Sequence, residues 1–93
     1  MIKHIVMFKL KNAEDAERIK AQSETLRAIP TLKKMDAVIN SPEAPEANCE
    51  FAIVCDFEDI AGLSEYQVHP VHVEFGKFIT PLRDTRACID YEC

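Results

Sequence analysis

Ile2-Lys3-His4-Ile5-Val6-Met7-Phe8-Lys9-Leu10 opens the chain, rich in β-branched and aromatic residues and apolar on both parities at its centre. Successive side chains of an extended segment point to opposite faces, so His4, Val6 and Phe8 share one face while Ile5 and Met7 share the other. A strand with two apolar faces needs cover on both. The remainder of the sequence has to supply it.

Asn12 is placed to cap a helix through residue 29, with Ala16, Ile19, Leu26 and Ile29 at helical spacing. Glu14, Asp15 and Glu17 sit near the positive end of its dipole, and Pro30 stops it. Residues 32–40 alternate Met35, Ala37 and Ile39 with Asp36, Val38 and Asn40, the pattern of a half-buried strand. Residues 40–48 hold two prolines and no periodicity, which predicts a hairpin loop longer than a tight turn. Phe51, Ile53, Cys55 and Phe57 then alternate with Ala52 and Val54 in a third strand. Asp59 can cap a short helix through Val68. Pro70 suits the first position of another, carrying Val71, Phe75, Phe78 and Leu82. Residues 85–91 make the last strand. With no repeat and no linker, residues 1–93 read as one domain.

The order strand, helix, strand, strand, helix, strand fits an α+β class: a ferredoxin-like split βαβ sandwich with a four-stranded antiparallel sheet. Its helices cover one sheet face only. Ile5, Met7, Ala52 and Val54 leave the other face apolar, and burying a Val, Leu or Ile side chain is worth about 1.5–3 kcal/mol. A homodimer through the sheet faces satisfies the first strand's need for cover.

Composition narrows the function classes. Sixteen acidic residues against 11 basic ones give a formal charge of −5, and Lys33-Lys34 is the only adjacent basic pair, so nucleic acid is not an expected partner. No apolar run approaches the roughly 20 residues that cross a bilayer, and the N-terminal residues carry no secretory pattern. The expectation is a cytoplasmic protein with no membrane partner. Cys49, Cys55, Cys88 and Cys93 include no Cys-x-x-Cys spacing and read as reduced thiols without a redox or zinc role.

The chemistry concentrates in Tyr66-Gln67-Val68-His69-Pro70-Val71-His72-Val73-Glu74-Phe75, which brings a phenol and two imidazoles to one corner of the chain. Histidine changes charge near neutral pH, and a neighbouring tyrosine can give or take a proton. Plainer roles compete. His72 can be a buried histidine bonded to a carbonyl, and Tyr66 a core residue with a satisfied hydroxyl. His69, preceding a proline, is well placed to bond the free amides of the next helix, and His4 can be a satisfied core histidine. His69 and His72, three apart, with Glu65 or Glu74, would suit metal binding on a continuous helix, but Pro70 interrupts it, and no metal site is expected. The two glycines, Gly62 and Gly76, make no phosphate-binding loop.

The opening strand, the Ile29-Pro30 pair, the third strand, Tyr66-x-x-His69-Pro70-x-His72-x-x-Phe75 and Asp90-Tyr91 together resemble the stress-responsive dimeric α/β-barrel family over nearly the whole chain. The resemblance implies a ferredoxin-like protomer whose sheet packs on its partner's to form a dimeric α/β barrel, with a cleft between sheet and helices. Among characterised members it is similar to the olivetolic acid cyclase type of plant polyketide cyclase. That similarity places an acid/base pair on Tyr66 and His72 and a cleft-lining histidine on His4. The cyclase type has a further pocket histidine where this chain has Phe51, which makes the pocket here more apolar.

Val6, Phe8, Phe51, Phe75 and Phe78 are the expected cleft walls, with His4, Tyr66 and His72 as the polar groups within it and His69 at its edge. That ratio favours a small, flat, apolar carbonyl or aromatic ligand over a nucleotide or phosphosugar, and the negative net charge points the same way. Two function classes follow. In one, His72 removes a proton beside a carbonyl and Tyr66 donates to the enolate oxygen, a cyclase- or isomerase-like step that needs no cofactor. In the other, the cleft holds a ligand or none, and the stable oligomeric barrel is itself the stress-related function.

Overall fold

The computed structural model describes residues 1–93. Strand β1 (Ile2–Leu10) leads through a 3-10 turn (Ala13–Asp15) to helix α1 (Ala16–Ser23), continued by a second 3-10 segment (Glu24–Ala28). Strands β2 (Lys34–Ile39) and β3 (Phe51–Phe57) follow, then helices α2 (Ile60–Val68) and α3 (Pro70–Ile79) and strand β4 (Arg83–Glu92). The strands form one antiparallel sheet in the order β2-β3-β1-β4. This is the ferredoxin-like arrangement expected from the element order.

The first helix differs from expectation. The Asn12 backbone is extended as a cap requires, but its side chain makes no capping bond, and the helix is α only over its central eight residues. The hydroxyls of Ser23 and Thr25 donate to the carbonyls of Lys20 (2.6 Å) and Gln22 (2.9 Å). Such bonds compete with the regular ladder, in keeping with its tightening into 3-10 geometry from Glu24 onward. Ile29 is extended at ψ 120°, as a residue before proline should be. Farther along, Asp59 accepts the Gly62 N–H at 2.8 Å and caps α2.

Pairing defines the two sheet faces. His4, Val6, Phe8, Ile53, Cys55 and Phe57 face the helices and join Leu26, Ile29, Leu63 and Phe75 in the core. On the opposite face Ile5 lies between Val54 and Ile89, and Met7 between Ala52 and Ala87, with Val38 beyond Ala52. Met7, Val38, Ile89 and Tyr91 are all exposed there. The Lys3–Asp56 (3.1 Å) and Lys9–Glu50 (2.8 Å) ion pairs bound this apolar band at its two ends. No helix is long and apolar enough to cross a membrane.

Candidate functional site

The helices do not cover β4. Its helix-facing side chains Arg86, Cys88 and Asp90, opposite Phe8, Val6 and His4, remain exposed. A cavity of about 120 Å³ opens between α3 and this uncovered edge. Val6, Phe8, Ile53, Phe75 and Ile79 form its apolar walls, and His4, Tyr66, His72, Thr80, Arg83 and Arg86 supply its polar groups. A larger depression of about 560 Å³, between Lys9–Lys11 and the loop before β3, contains neither histidine nor tyrosine and offers no comparable acid/base chemistry.

Tyr66 reaches the cavity from α2 and is almost wholly buried. Its ring packs against His72 at 4.7 Å between centroids, tilted by 59°, and edge-on against His4 at 6.3 Å. No hydrogen bond joins the phenol to either imidazole. The hydroxyl makes one hydrogen-bond contact, a long one with the Cys55 thiol 4.0 Å away. The phenol donates to no oxygen or nitrogen of the protein, and this long thiol contact is its one polar interaction. Burial and the adjacent Cys55 raise the Tyr66 pKa above its ordinary 10.0, and burial raises the thiol to about 12, so both stay protonated at neutral pH.

His72 lies in the first turn of α3, half-buried. Burial lowers its pKa below the ordinary 6.5, with His4 and Arg86 acting in the same direction and the Gln67 backbone opposing. Its neutral form, the form that accepts a proton, is therefore the one held at the cavity. His4 is buried on β1, with Nδ1 bonded to the Asp90 carboxylate across the β1–β4 pairing. That partner, opposite it on the neighbouring strand, fixes the orientation of the ring.

Of the residues expected at the site, His4, Val6, Phe8, Tyr66, His72 and Phe75 are brought together around this cavity. Three residues lie elsewhere. Phe51 starts β3 at the far end of the sheet, buried and stacked on Phe8 at 6.2 Å, and does not line the Tyr66–His72 cavity. Phe78 turns toward α1, with the Arg18 guanidinium 5.7 Å above its ring. His69 caps α3, its Nδ1 accepting the Val71 N–H at 3.1 Å, so its ring serves the helix rather than the cavity. His69 and His72 thus diverge, and no three His, Cys, Asp or Glu side chains come together in a metal-binding group. All four cysteines are unpaired.

The cavity is also less apolar than expected, because Thr80, Arg83 and Arg86 join its wall. Asp90 was legible in principle, since an aligned β1–β4 pair sets it opposite His4. The strand pattern alone does not place Arg83, because its orientation depends on a register shift between Lys9 and Leu10.

Comparison with known proteins places this geometry in a family. Residues 2–93 match the model of the stress responsive A/B barrel domain. No curated protein matches the chain. Among solved structures, a dimeric ferredoxin-like protein of unknown function from Bacteroides fragilis is 29% identical, covering 99% of this chain and 95% of its own at a TM-score of 0.83. A dimeric ferredoxin-like protein from Thermobifida fusca is 27% identical over 99% and 90% of the two chains, with a TM-score of 0.87. A protein of the same barrel family from Mesorhizobium loti is also 27% identical, over 99% and 95%, at 0.84. With its family model matched along almost its whole length and its sheet topology shared, this chain belongs to the stress-responsive α/β-barrel domain family.

Proposed function

We propose that the protein is a homodimer through its sheet faces whose helix-side cavity binds a small carbonyl compound and moves a proton on it without a cofactor. The observation that carries this reading is the buried Tyr66 hydroxyl, whose one polar contact with the protein is a thiol 4.0 Å away, set in the same cavity as a histidine held neutral. A buried tyrosine normally finds a partner for its O–H. A ligand carbonyl oxygen would be that partner.

The proton balance is simple. The imidazole of His72 takes a proton from the carbon next to the carbonyl, and the C–H electron pair forms the enolate. The negative charge develops on oxygen, where the Tyr66 O–H donates to it. Return of the proton from His72 to a different atom gives an isomer; attack of the enolate carbon on a second carbonyl of the same molecule closes a ring, the π pair of that carbonyl moving to its oxygen, which takes the proton back from His72. The volume of about 120 Å³ limits the enclosed part of the ligand to roughly one ring, since a 150 Å³ cavity holds benzene.

The dimer reading rests on the exposed band of Met7, Val38 and Ile89 and on the dimeric state of the related structures. An exposed apolar band centred on a sheet is a normal site of association. A thermal-shift screen of small aryl ketones, aldehydes and phenols tests the cavity. Stabilisation by a carbonyl compound that disappears in both Tyr66→Phe and His72→Ala is the expected result. Shifts unchanged by either substitution contradict it.

A further inference from the structure

The chain has four arginines, and they divide by environment. Arg18 and Arg27 pair with carboxylates three residues earlier, Asp15 at 3.3 Å and Glu24 in close contact. Arg83 and Arg86 make no ion pair and no side-chain hydrogen bond, and both line the Tyr66–His72 cavity. In a regular strand, residues three apart point to opposite faces. Here Lys9 pairs with Thr85 but Leu10 pairs with Arg83, so one extra residue, Asp84, bulges from β4. The bulge brings Arg83 onto the face of Leu10, the face that Arg86 shares with Phe8. Bulges commonly re-aim a side chain beside a functional site.

We propose that Arg83 and Arg86 form a carboxylate-binding subsite at the mouth of this cavity, selecting a small carbonyl compound that carries one carboxylate. The proposal rests on the ligand reading given above and names its substrate class. A guanidinium offers a planar fork of donors that matches a carboxylate, and two of them without acidic partners leave this capacity unused. The acid on the same face of β4, Asp90, is engaged by His4 and lies four residues from Arg86, about 13 Å along the strand. It does not neutralise the pair. The protein's net charge of −5 makes such a local concentration of unpaired positive charge more distinctive. The adjoining walls of Phe8, Phe75 and Ile79 favour an anion with an apolar body over a free phosphate.

Benzoate, benzamide and inorganic phosphate are suitable probes, titrated at constant ionic strength and followed by the amide and histidine NMR signals of the full-length protein. Benzoate should bind saturably, shift signals of Phe75, Gly76 and His72, and raise the pKa of His72 by placing an anion near it. Arg83→Gln and Arg86→Gln should each weaken benzoate about tenfold or more, the range of a lost charge-assisted hydrogen bond. Arg86→Lys, which keeps the charge, should retain part of the affinity and controls for misfolding. Benzamide should bind wild type more weakly and be indifferent to these changes.

Equal binding of benzoate and benzamide would overturn the subsite, as would benzoate affinity unchanged in both Gln variants. Phosphate binding as tight as benzoate at the same residues would also overturn it. If both aromatic probes bind and depend on His72 and Tyr66 but not on the arginines, the subsite is wrong and the cavity reading survives. If neither perturbs the cavity, both fail.

Discussion

The rings of Tyr66 and His72 lie 4.7 Å apart, centroid to centroid, and tilt by 59°. The acid/base pair implied by sequence resemblance is thus in contact through its rings, with no hydrogen bond between its polar atoms. Neither group has to give up a bond to the other before meeting a ligand.

Burial of His72 has a consequence for stability. Its pKa is lowered in the folded state, so as pH falls below about 6.5 the unfolded chain takes up the proton before the folded protein does. Stability should fall with pH from there down through the folded pKa of His72, and less steeply in His72→Gln. Chemical denaturation from pH 7.5 to 5, with NMR titration of the imidazole, checks this. Titration of His72 at or above 6.5 would contradict it.

Assigning His69 to the helix rather than to the ligand separates two measurable quantities. His69→Ala should cost about 1 kcal/mol through loss of the α3 cap, and His69→Asn, which restores a capping side chain, should recover most of it. Neither change should alter ligand-induced thermal shifts. A loss of ligand response in a stably folded His69→Asn protein would return this residue to the site.

The proposed sheet-face dimer predicts the outcome of charging its centre. Ile89, 59% exposed in the protomer, pairs with Ile5, which pairs in turn with Val54. Ile89→Asp should yield monomers or aggregates in light scattering, since a carboxylate buried without a partner costs several kcal/mol. Val54→Asp should behave alike. An unchanged dimer in either variant would place the interface elsewhere.

Gly76 lies inside α3 at the cavity wall, and a Cβ added there would meet nothing within 4 Å. Gly76→Ala should stabilise the protein by about 0.5–1 kcal/mol through the lower entropy of its unfolded chain. Gly76→Leu should narrow the cavity and weaken ligand binding while the protein stays folded. Denaturation midpoints and ligand titrations on the two variants separate these effects.

Much of this was legible in the sequence because local rules and the global fold agree. The two-faced alternation of β1, the Asp59 cap and the Pro70 restart each correspond to an observed element. The first helix was less legible, because the competing hydroxyl bonds of Ser23 and Thr25 do not alter hydrophobic periodicity. Within the site, residues on β1 and on α2–α3 could be found from motif and face. Phe51 and Phe78 carry the right chemistry and face the core, yet neither packs where the Tyr66–His72 cavity opens. Arg83 was hidden for the opposite reason, since a single bulged residue decides which way it faces.

The central claim is that His72 and Tyr66 move a proton on a bound carbonyl compound, and isotope exchange reads that step directly. Wild-type protein in D₂O with acetophenone should speed deuterium incorporation at the carbon beside the carbonyl, followed by loss of its proton NMR signal. His72→Ala should slow the protein-dependent rate by about 10²-fold or more, within the usual contribution of a positioned general base, and Tyr66→Phe should slow it as well. Exchange no faster than in buffer, or a rate unchanged in His72→Ala, would contradict the account.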